Sequence, residues 1–312
     1  MEKKTFFVAI WIVFFVLLGF VLSASRANHD GVVTQNRSPR ITVVTSFYPL
    51  YFFASEIAGK NADVVNITPA GVEPHGYELT ARDIARIEGS ALLVINGVGF
   101  EPWGKRVKEN LDPARTLVLS VADELSTQTI MHSGTTVVDP HFWLSPLFAQ
   151  TIVEQIAKGF MTIDPRNRNV YAANTKILNE RLTELDATYR QALADCAVGD
   201  IITAHAAFGY LAAAYGLRQV SIAGVSPDAE PSSRQLTQLA RFVKTRGIRV
   251  IFFETLVSPK LSETLAKEVG ATTLVLNPLE GLTEDERRQG KDYISEMLAN
   301  LSNLKLALQC KP

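Results

Sequence analysis

Imidazoles and carboxylates are the side chains that hold transition metals, and this chain has few imidazoles to place. It has five histidines, at positions 29, 75, 132, 141 and 205. Three share a setting. His75 lies in Gly71-Val72-Glu73-Pro74-His75-Gly76-Tyr77-Glu78, beyond a β-branched run. His141 lies in Val138-Asp139-Pro140-His141-Phe142-Trp143, and His205 follows Ile201-Ile202-Thr203-Ala204. Glu280, in Leu276-Asn277-Pro278-Leu279-Glu280-Gly281, follows another strand-like run. In open α/β sheets the ligand crevice lies outside the carboxyl ends of strands. Three neutral imidazoles and one carboxylate would form a closed tetrahedral set suited to Zn²⁺. No local spacing rule joins them: His75 and His141 are 66 residues apart, His141 and His205 64. A loop histidine is equally an ordinary hydrogen-bond partner and a turn glutamate an ordinary solvated residue. On spacing alone both readings stay open. His29 and His132 lie in polar, loop-like stretches and read as exposed.

The elements that must position these residues alternate along the chain. Strands are predicted at 41–46, 63–68, 91–96 and 116–121, with helices at 51–58, 80–88 and 103–111 between them. Residues 123–138 show no period and read as a loop, followed by a helix over 147–162. Asp164-Pro165 then supplies an N-cap and a first-turn proline. Tyr171, Leu178, Leu182, Leu185, Tyr189 and Leu193 mark one face of a long helix. Run from Pro165 to Asp195, it would be roughly 46 Å long. The alternation restarts with strands at 200–203, 219–222, 248–253 and 272–276. Helices are expected at 206–215, from Ser232 or Ser233 to Lys244, at 259–269 and at 291–308. On the last of these Ile294, Met297, Leu298, Leu301 and Leu308 form the apolar face. Strand–helix alternation of this kind indicates βαβ units. The expected architecture is α/β: two lobes joined by one long helix.

Composition narrows the function. Of 312 residues 47% are hydrophobic and 20% charged, which suits a packed core. Lys+Arg is 31 against Asp+Glu 32, so no basic excess supports nucleic-acid binding. Two cysteines exclude a zinc ribbon or a Cys-rich iron–sulfur site. Lys3 and Lys4 precede an uncharged run from Phe6 to Leu22, and small residues follow at 23–27. Residues 1–27 therefore read as an export signal, or as an uncleaved N-terminal anchor because the run nearly spans a bilayer. No cysteine lies near enough to carry a lipid. Residues 28–40 read as a linker. Export implies an oxidising compartment, which favours a Cys196–Cys310 disulfide over two free thiols.

Several stretches, in order, give the chain a likeness. They are Ser46-Phe47-Tyr48-Pro49-Leu50, Gly71 to Leu79 around His75, and Asp139 to Pro146 around His141. Ala204 to Tyr210 around His205, Phe253 to Pro259, and Pro278 to Leu282 around Glu280 complete the set. Over about residues 41–309 the chain resembles the zinc-uptake solute-binding proteins, the metal receptors of ABC importers. The resemblance implies two lobes, each with a central, mostly parallel four-stranded sheet flanked by helices, bridged by a rigid long helix. Its boundaries would be 41–163 for the N-terminal lobe, 164–196 for the connecting helix and 197–312 for the C-terminal lobe. It implies Zn²⁺ held by His75, His141, His205 and Glu280, and delivery to a membrane permease driven by an ATPase. A receptor of this kind would act as a monomer at the periplasmic or extracellular face of the cytoplasmic membrane. Many zinc members carry a His-rich loop between the first two ligand histidines. This chain has only His132 there.

Manganese-binding relatives resemble this layout with two carboxylates and two imidazoles. A third imidazole, His205, favours zinc over manganese or iron. A zinc hydrolase is the enzyme alternative, but neither His-Glu-x-x-His nor Gly-x-Ser-x-Gly occurs, and Glu280 would close the open position. An adhesin role is a third class that no motif here supports. Asp139 and Glu73, each two residues before a ligand histidine, are candidates to orient imidazole N–H groups. Glu254, between Phe253 and Leu256 at a strand end, needs a partner the sequence does not name. Zn²⁺ with one carboxylate leaves about one positive charge, so a polar or partly solvated cleft is expected. Capture should release protons below about pH 6.5, because a ligating imidazole is neutral.

Overall fold

A computed structural model describes residues 40–132 and 135–311. The first seven elements are β1 (Ile41–Thr45), α1 (Tyr48–Ala58), β2 (Ala62–Asn66), α2 (Ala81–Glu88), β3 (Leu92–Ile95), α3 (Gly104–Asn110) and β4 (Leu117–Ser120). Their strands form one parallel sheet in the order β2-β1-β3-β4. All four residues of β3 are buried, as an apolar run with no polar alternation requires. Helix α1 begins three residues earlier than the periodicity suggests. Pro49 sits in its first turn, where a missing N–H costs nothing. Helix α2 is closed by a reciprocal capping box between Thr80 and Asp83.

Residues 123–138, expected to be a loop, contain an antiparallel pair instead. After a 3₁₀ turn at Val121–Glu124, β5 (Thr129–His132) pairs with β6 (Thr135–Val138). Each strand is β-branched-rich, but each is stabilised by the other, and single-strand periodicity does not register pairing. Helix α4 (Pro146–Ile163) follows, then a 3₁₀ turn at Pro165–Asn167 and the long helix α5 (Arg168–Ala192). At 25 residues it is about 37 Å long, shorter than expected because its first turn is 3₁₀ and the chain leaves the helix at Leu193. Its stripe of Tyr171, Leu178, Leu182, Leu185 and Tyr189 is fully buried and joins one core with residues from both sheets.

The second half runs β7 (Asp200–Thr203), α6 (Gly209–Ala214), β8 (Arg218–Ser221), α7 (Ser233–Arg246), β9 (Val250–Phe253), α8 (Lys260–Val269), β10 (Thr272–Val275), α9 (Glu284–Arg288) and α10 (Tyr293–Leu308). Its sheet is also parallel, in the order β10-β9-β7-β8. Counted within the lobe this is 4-3-1-2, the first sheet's order read from the other edge. The two lobes thus share one topology. Each has its switch point between its first and third strands, β1/β3 and β7/β9. The five-residue α9 is below the length that periodicity resolves and is set by the Thr283–Glu286 capping box. On α10, Leu298 faces out at 41% exposure, while Tyr293 and Leu304 join Met297, Leu301 and Leu308 inside.

Arg40–Pro312 forms one compact unit. Among the described residues no helix is long and apolar enough to cross a membrane. The expected signal or anchor at 1–27 and most of the 28–40 linker lie outside them, as does His29. Cys196 and Cys310 are joined by a disulfide and an isolated antiparallel bridge, which tie the end of α10 to the exit of α5. The bridge closes a 114-residue loop. Replacing both cysteines by alanine is expected to cost about 2–5 kcal/mol of stability, read as a lower denaturant midpoint without reductant. An unchanged midpoint would show that the bridge contributes nothing to the fold.

Candidate metal centre

Four loops at the carboxyl ends of strands bring His75, His141, His205 and Glu280 together. His75 follows β2, His141 follows the β5–β6 hairpin, His205 lies two residues beyond β7, and Glu280 lies beyond β10. Their potential ligand atoms all lie within 4.8 Å of one another. His141 Nε2 is 3.2 Å from His75 Nε2 and 3.3 Å from His205 Nε2. Glu280 Oε1 is 3.3 Å from the Nε2 of each histidine. Five edges of a four-cornered figure are thus nearly equal. A regular tetrahedron of that edge has its centre about 2.0 Å from each corner, the Zn–N and Zn–O bond length. Four lone pairs aimed at one point repel unless a cation or protons stand between them. The donor set and its spacing therefore fit a tetrahedral divalent ion.

Each corner is held differently. Asp139 accepts from the backbone N–H of His141 at 2.9 Å and meets its Nδ1 at 2.8 Å. Space for that carboxylate depends on Gly209, where a Cβ would stand 2.7 Å from Asp139 Oδ2. Glu254, the partnerless carboxylate of the sequence, meets His205 Nδ1 at 2.7 Å and accepts from its backbone N–H at 3.1 Å. They meet because β7 and β9 are neighbours, and each residue stands just past its strand at the switch point. Both pairs turn Nε2 inward and raise imidazole basicity. Glu73, in contrast, orients no ring. Its carboxylate accepts from the backbone N–H groups of His75 and Gly76 and so shapes the loop. That loop is also held by Tyr77, which donates to the buried Asp83 at 2.8 Å, and by a hydrogen bond from Gly71 to the Leu282 carbonyl.

Glu280 is presented by a strained turn. Leu279 has φ 55°, a conformation rare outside glycine. Asn277 holds the turn: its Oδ1 accepts from Leu279 N at 2.9 Å, and Asn300 of α10 bonds both its N–H and its carbonyl. Trp143 Nε1 donates to the Pro278 carbonyl, linking the His141 and Glu280 loops.

Burial sets the electrostatics. The side chains of His141 and His205 are fully buried, Glu280 is 1% exposed and His75 9%. Burial alone would lower the pKa of His141, but the hydrogen-bonding carboxylates of Asp139 and Glu280 outweigh it and raise it. Burial opposes the imidazolium of His205 too, and the charges of Glu254 and Glu280 overcome it, holding its pKa well above the ordinary value. Burial would raise the Glu280 pKa, yet His205 and His75 hold it well below the usual carboxylate range. Of the expected alternatives, a polar or a partly solvated cleft, the site has the polar one, with His141, His205 and Glu280 closed off from solvent. The positive charge is offset inside the protein, where the carboxylates of Asp139 and Glu254 stand buried beside His141 and His205.

Sequence and structure relatives have the same character. The family model for zinc-uptake complex component A, periplasmic, matches residues 43–307. This chain belongs to that family. The high-affinity zinc uptake system protein ZnuA of Bacillus subtilis is 37% identical, over 96% of this chain and 98% of its own length. The zinc-binding protein AdcA of Streptococcus pyogenes is 38% identical over 86% of this chain, which spans only 56% of that longer protein. The Zn(II)-bound ZnuA-like domain of Streptococcus pneumoniae AdcA superposes with a TM-score of 0.76 at 38% identity, covering 86% of this chain and 99% of that domain. The laminin-binding protein of Streptococcus agalactiae, described as having adhesin and metal-transporting activity, gives 0.78 at 32% identity, over 86% and 99%. The zinc-uptake family comprises metal-binding receptors rather than enzymes. Its members include proteins described as periplasmic and as lipoproteins.

Sequence reading missed two neighbours of the site. Phe100 packs edge-on against His75, with ring centroids 4.6 Å apart. Glu101 is a buried carboxylate whose position in Asn96-Gly97-Val98-Gly99-Phe100-Glu101, after an apolar strand, was its only signal. His132 is the last residue of β5. The Glu254 carboxylate gives a direct check on how the centre is tuned. Glu254→Gln is expected to weaken zinc binding by about 10–100-fold with little change in fold. Chelator competition with a circular-dichroism control reads this, and an unchanged affinity would remove Glu254 from the binding apparatus.

Proposed function

We propose that this protein is an exported receptor that captures Zn²⁺ with His75, His141, His205 and Glu280 and delivers it to the permease of an ABC importer driven by its ATPase. It works as a monomer outside the cytoplasmic membrane, released by signal cleavage or held by its N-terminal segment. The observation that carries this reading is the near-tetrahedral convergence of three Nε2 atoms and one carboxylate oxygen, at the spacing a 2.0 Å bond length requires. The zinc-uptake relatives support it. Three imidazoles favour zinc over manganese or iron. Glu280 at the fourth corner leaves no position for a hydrolytic water. The 41–163 and 197–312 segments supply two ligands each, and the 164–196 helix limits their relative motion, so release involves small shifts of loops or lobes.

The test is metal competition on the purified apo protein, with Zn²⁺ and Mn²⁺ titrated against a calibrated chelator. One tight zinc equivalent that manganese does not displace is expected. Equal or tighter manganese binding would reassign the metal, and the absence of any tight site would overturn the proposal.

A further inference from the structure

The two lobes place a buried carboxylate at the same topological position and use it differently. In the second lobe Glu254 stands at the β7/β9 switch point and holds the ring of His205. In the first lobe the residues just beyond β1 and β3 are Ser46 and Asn96. Both converge on Glu101, which accepts from Ser46 Oγ at 2.6 Å, from Asn96 N at 2.6 Å and from Gly97 N at 3.0 Å. Glu101 touches no imidazole. It closes a loop in which three successive residues have positive φ: Gly97 at 88°, Val98 at 48° and Gly99 at 81°. A β-branched residue in that region is strained and persists only where its surroundings hold it. At Gly97 any Cβ would collide with Ser120 Oγ. The loop delivers Phe100, 2% exposed, between Phe47, Trp143 and His75, with ring centroids 4.6, 5.2 and 4.6 Å away.

His75 is the corner that lacks a carboxylate. Among the described residues its Nδ1 has no hydrogen-bond partner, whereas His141 and His205 have Asp139 and Glu254. It is also the corner most open to solvent. Its ring has the edge-on contact with Phe100 in place of a charged orienting group.

We infer that Phe100, locked by the Glu101 clamp, is a positioning residue that holds the His75 ring in its ligating rotamer and so governs how fast metal leaves. This rests on the four-residue zinc site proposed above. Loss of an edge-to-face aromatic contact is expected to speed zinc dissociation about tenfold.

The experiment is stopped-flow transfer of zinc from the loaded protein to excess chelator. Phe100→Leu keeps an apolar side chain but removes the ring, and is expected to release zinc about tenfold faster. Glu101→Gln keeps the loop's shape while weakening its clamp, and should move the rate the same way even if Phe100→Leu does not fold. Phe160→Leu, in the core against Tyr171, is the control for general destabilisation and should leave the rate unchanged. In a His75→Ala background Phe100→Leu should have no further effect on the rate. A wild-type rate in both Phe100→Leu and Glu101→Gln would overturn the inference and leave the zinc site standing. Equal acceleration with and without His75 would assign Phe100 a purely structural role. A wild-type protein that binds no zinc would overturn both proposals.

Discussion

His205→Ala is expected to weaken zinc binding by about a hundred- to a thousandfold, since roughly 10–16 kcal/mol shared among four ligands leaves about 2.5–4 kcal/mol for each. His205 is completely buried, and its loss leaves two imidazoles and one carboxylate, a poorer donor set for zinc. Its removal also strands the Glu254 carboxylate in the interior, which lowers the stability of the apo protein. Glu280→Ala should cost less, about ten- to a hundredfold, because a water at the vacated corner restores a three-histidine zinc site. Chelator competition on both variants measures the difference. Equal losses at the two positions would contradict this ranking, and no loss at His205 would remove it from the ligand set.

Zinc affinity is expected to rise steeply with pH, by up to about two decades per unit, and the steep range should extend above pH 6.5. The sequence places proton release below that point. The structure moves it upward, because carboxylates raise the pKa values of His141 and His205. In the apo protein two imidazolium protons can balance the charge that one divalent ion supplies, so capture is an exchange of protons for metal. The consequences for stability have definite signs. The raised His205 pKa stabilises apo protein fully below the unfolded value, and that contribution is lost as pH rises through the folded value. The depressed Glu280 pKa stabilises it above the unfolded value, and that contribution is lost as pH falls through the folded value. Zinc should therefore raise the melting temperature more at pH 8 than at pH 5.5. Titration in a weak buffer with a pH indicator counts the protons released. A pH-independent affinity between 5.5 and 8 would exclude the exchange.

Much of this was legible in the sequence, for identifiable reasons. Buried parallel strands such as Leu92–Ile95 announce themselves as apolar runs, and the α5 stripe from Tyr171 to Tyr189 as a helical period. The four cluster residues were marked by their place just beyond strands and by the likeness of their flanking motifs. Asp139 was legible from its place two residues before His141. What was not legible depends on pairing across distance. The β5–β6 hairpin is a property of two segments together. The partner of Glu254 is 49 residues away, and becomes its neighbour only when β7 and β9 align. Glu73 has the same two-residue offset from its histidine as Asp139, yet its carboxylate turns to the backbone. The role of Phe100 depends on a loop of positive-φ residues whose shape no periodicity encodes.

Two of the four cluster residues precede the long helix and two follow it, and the outermost pair is 205 residues apart. No half of the chain contains more than two of them. A half-folded chain therefore brings together at most two of the four groups, and the full set forms only when both sheets have packed on α5.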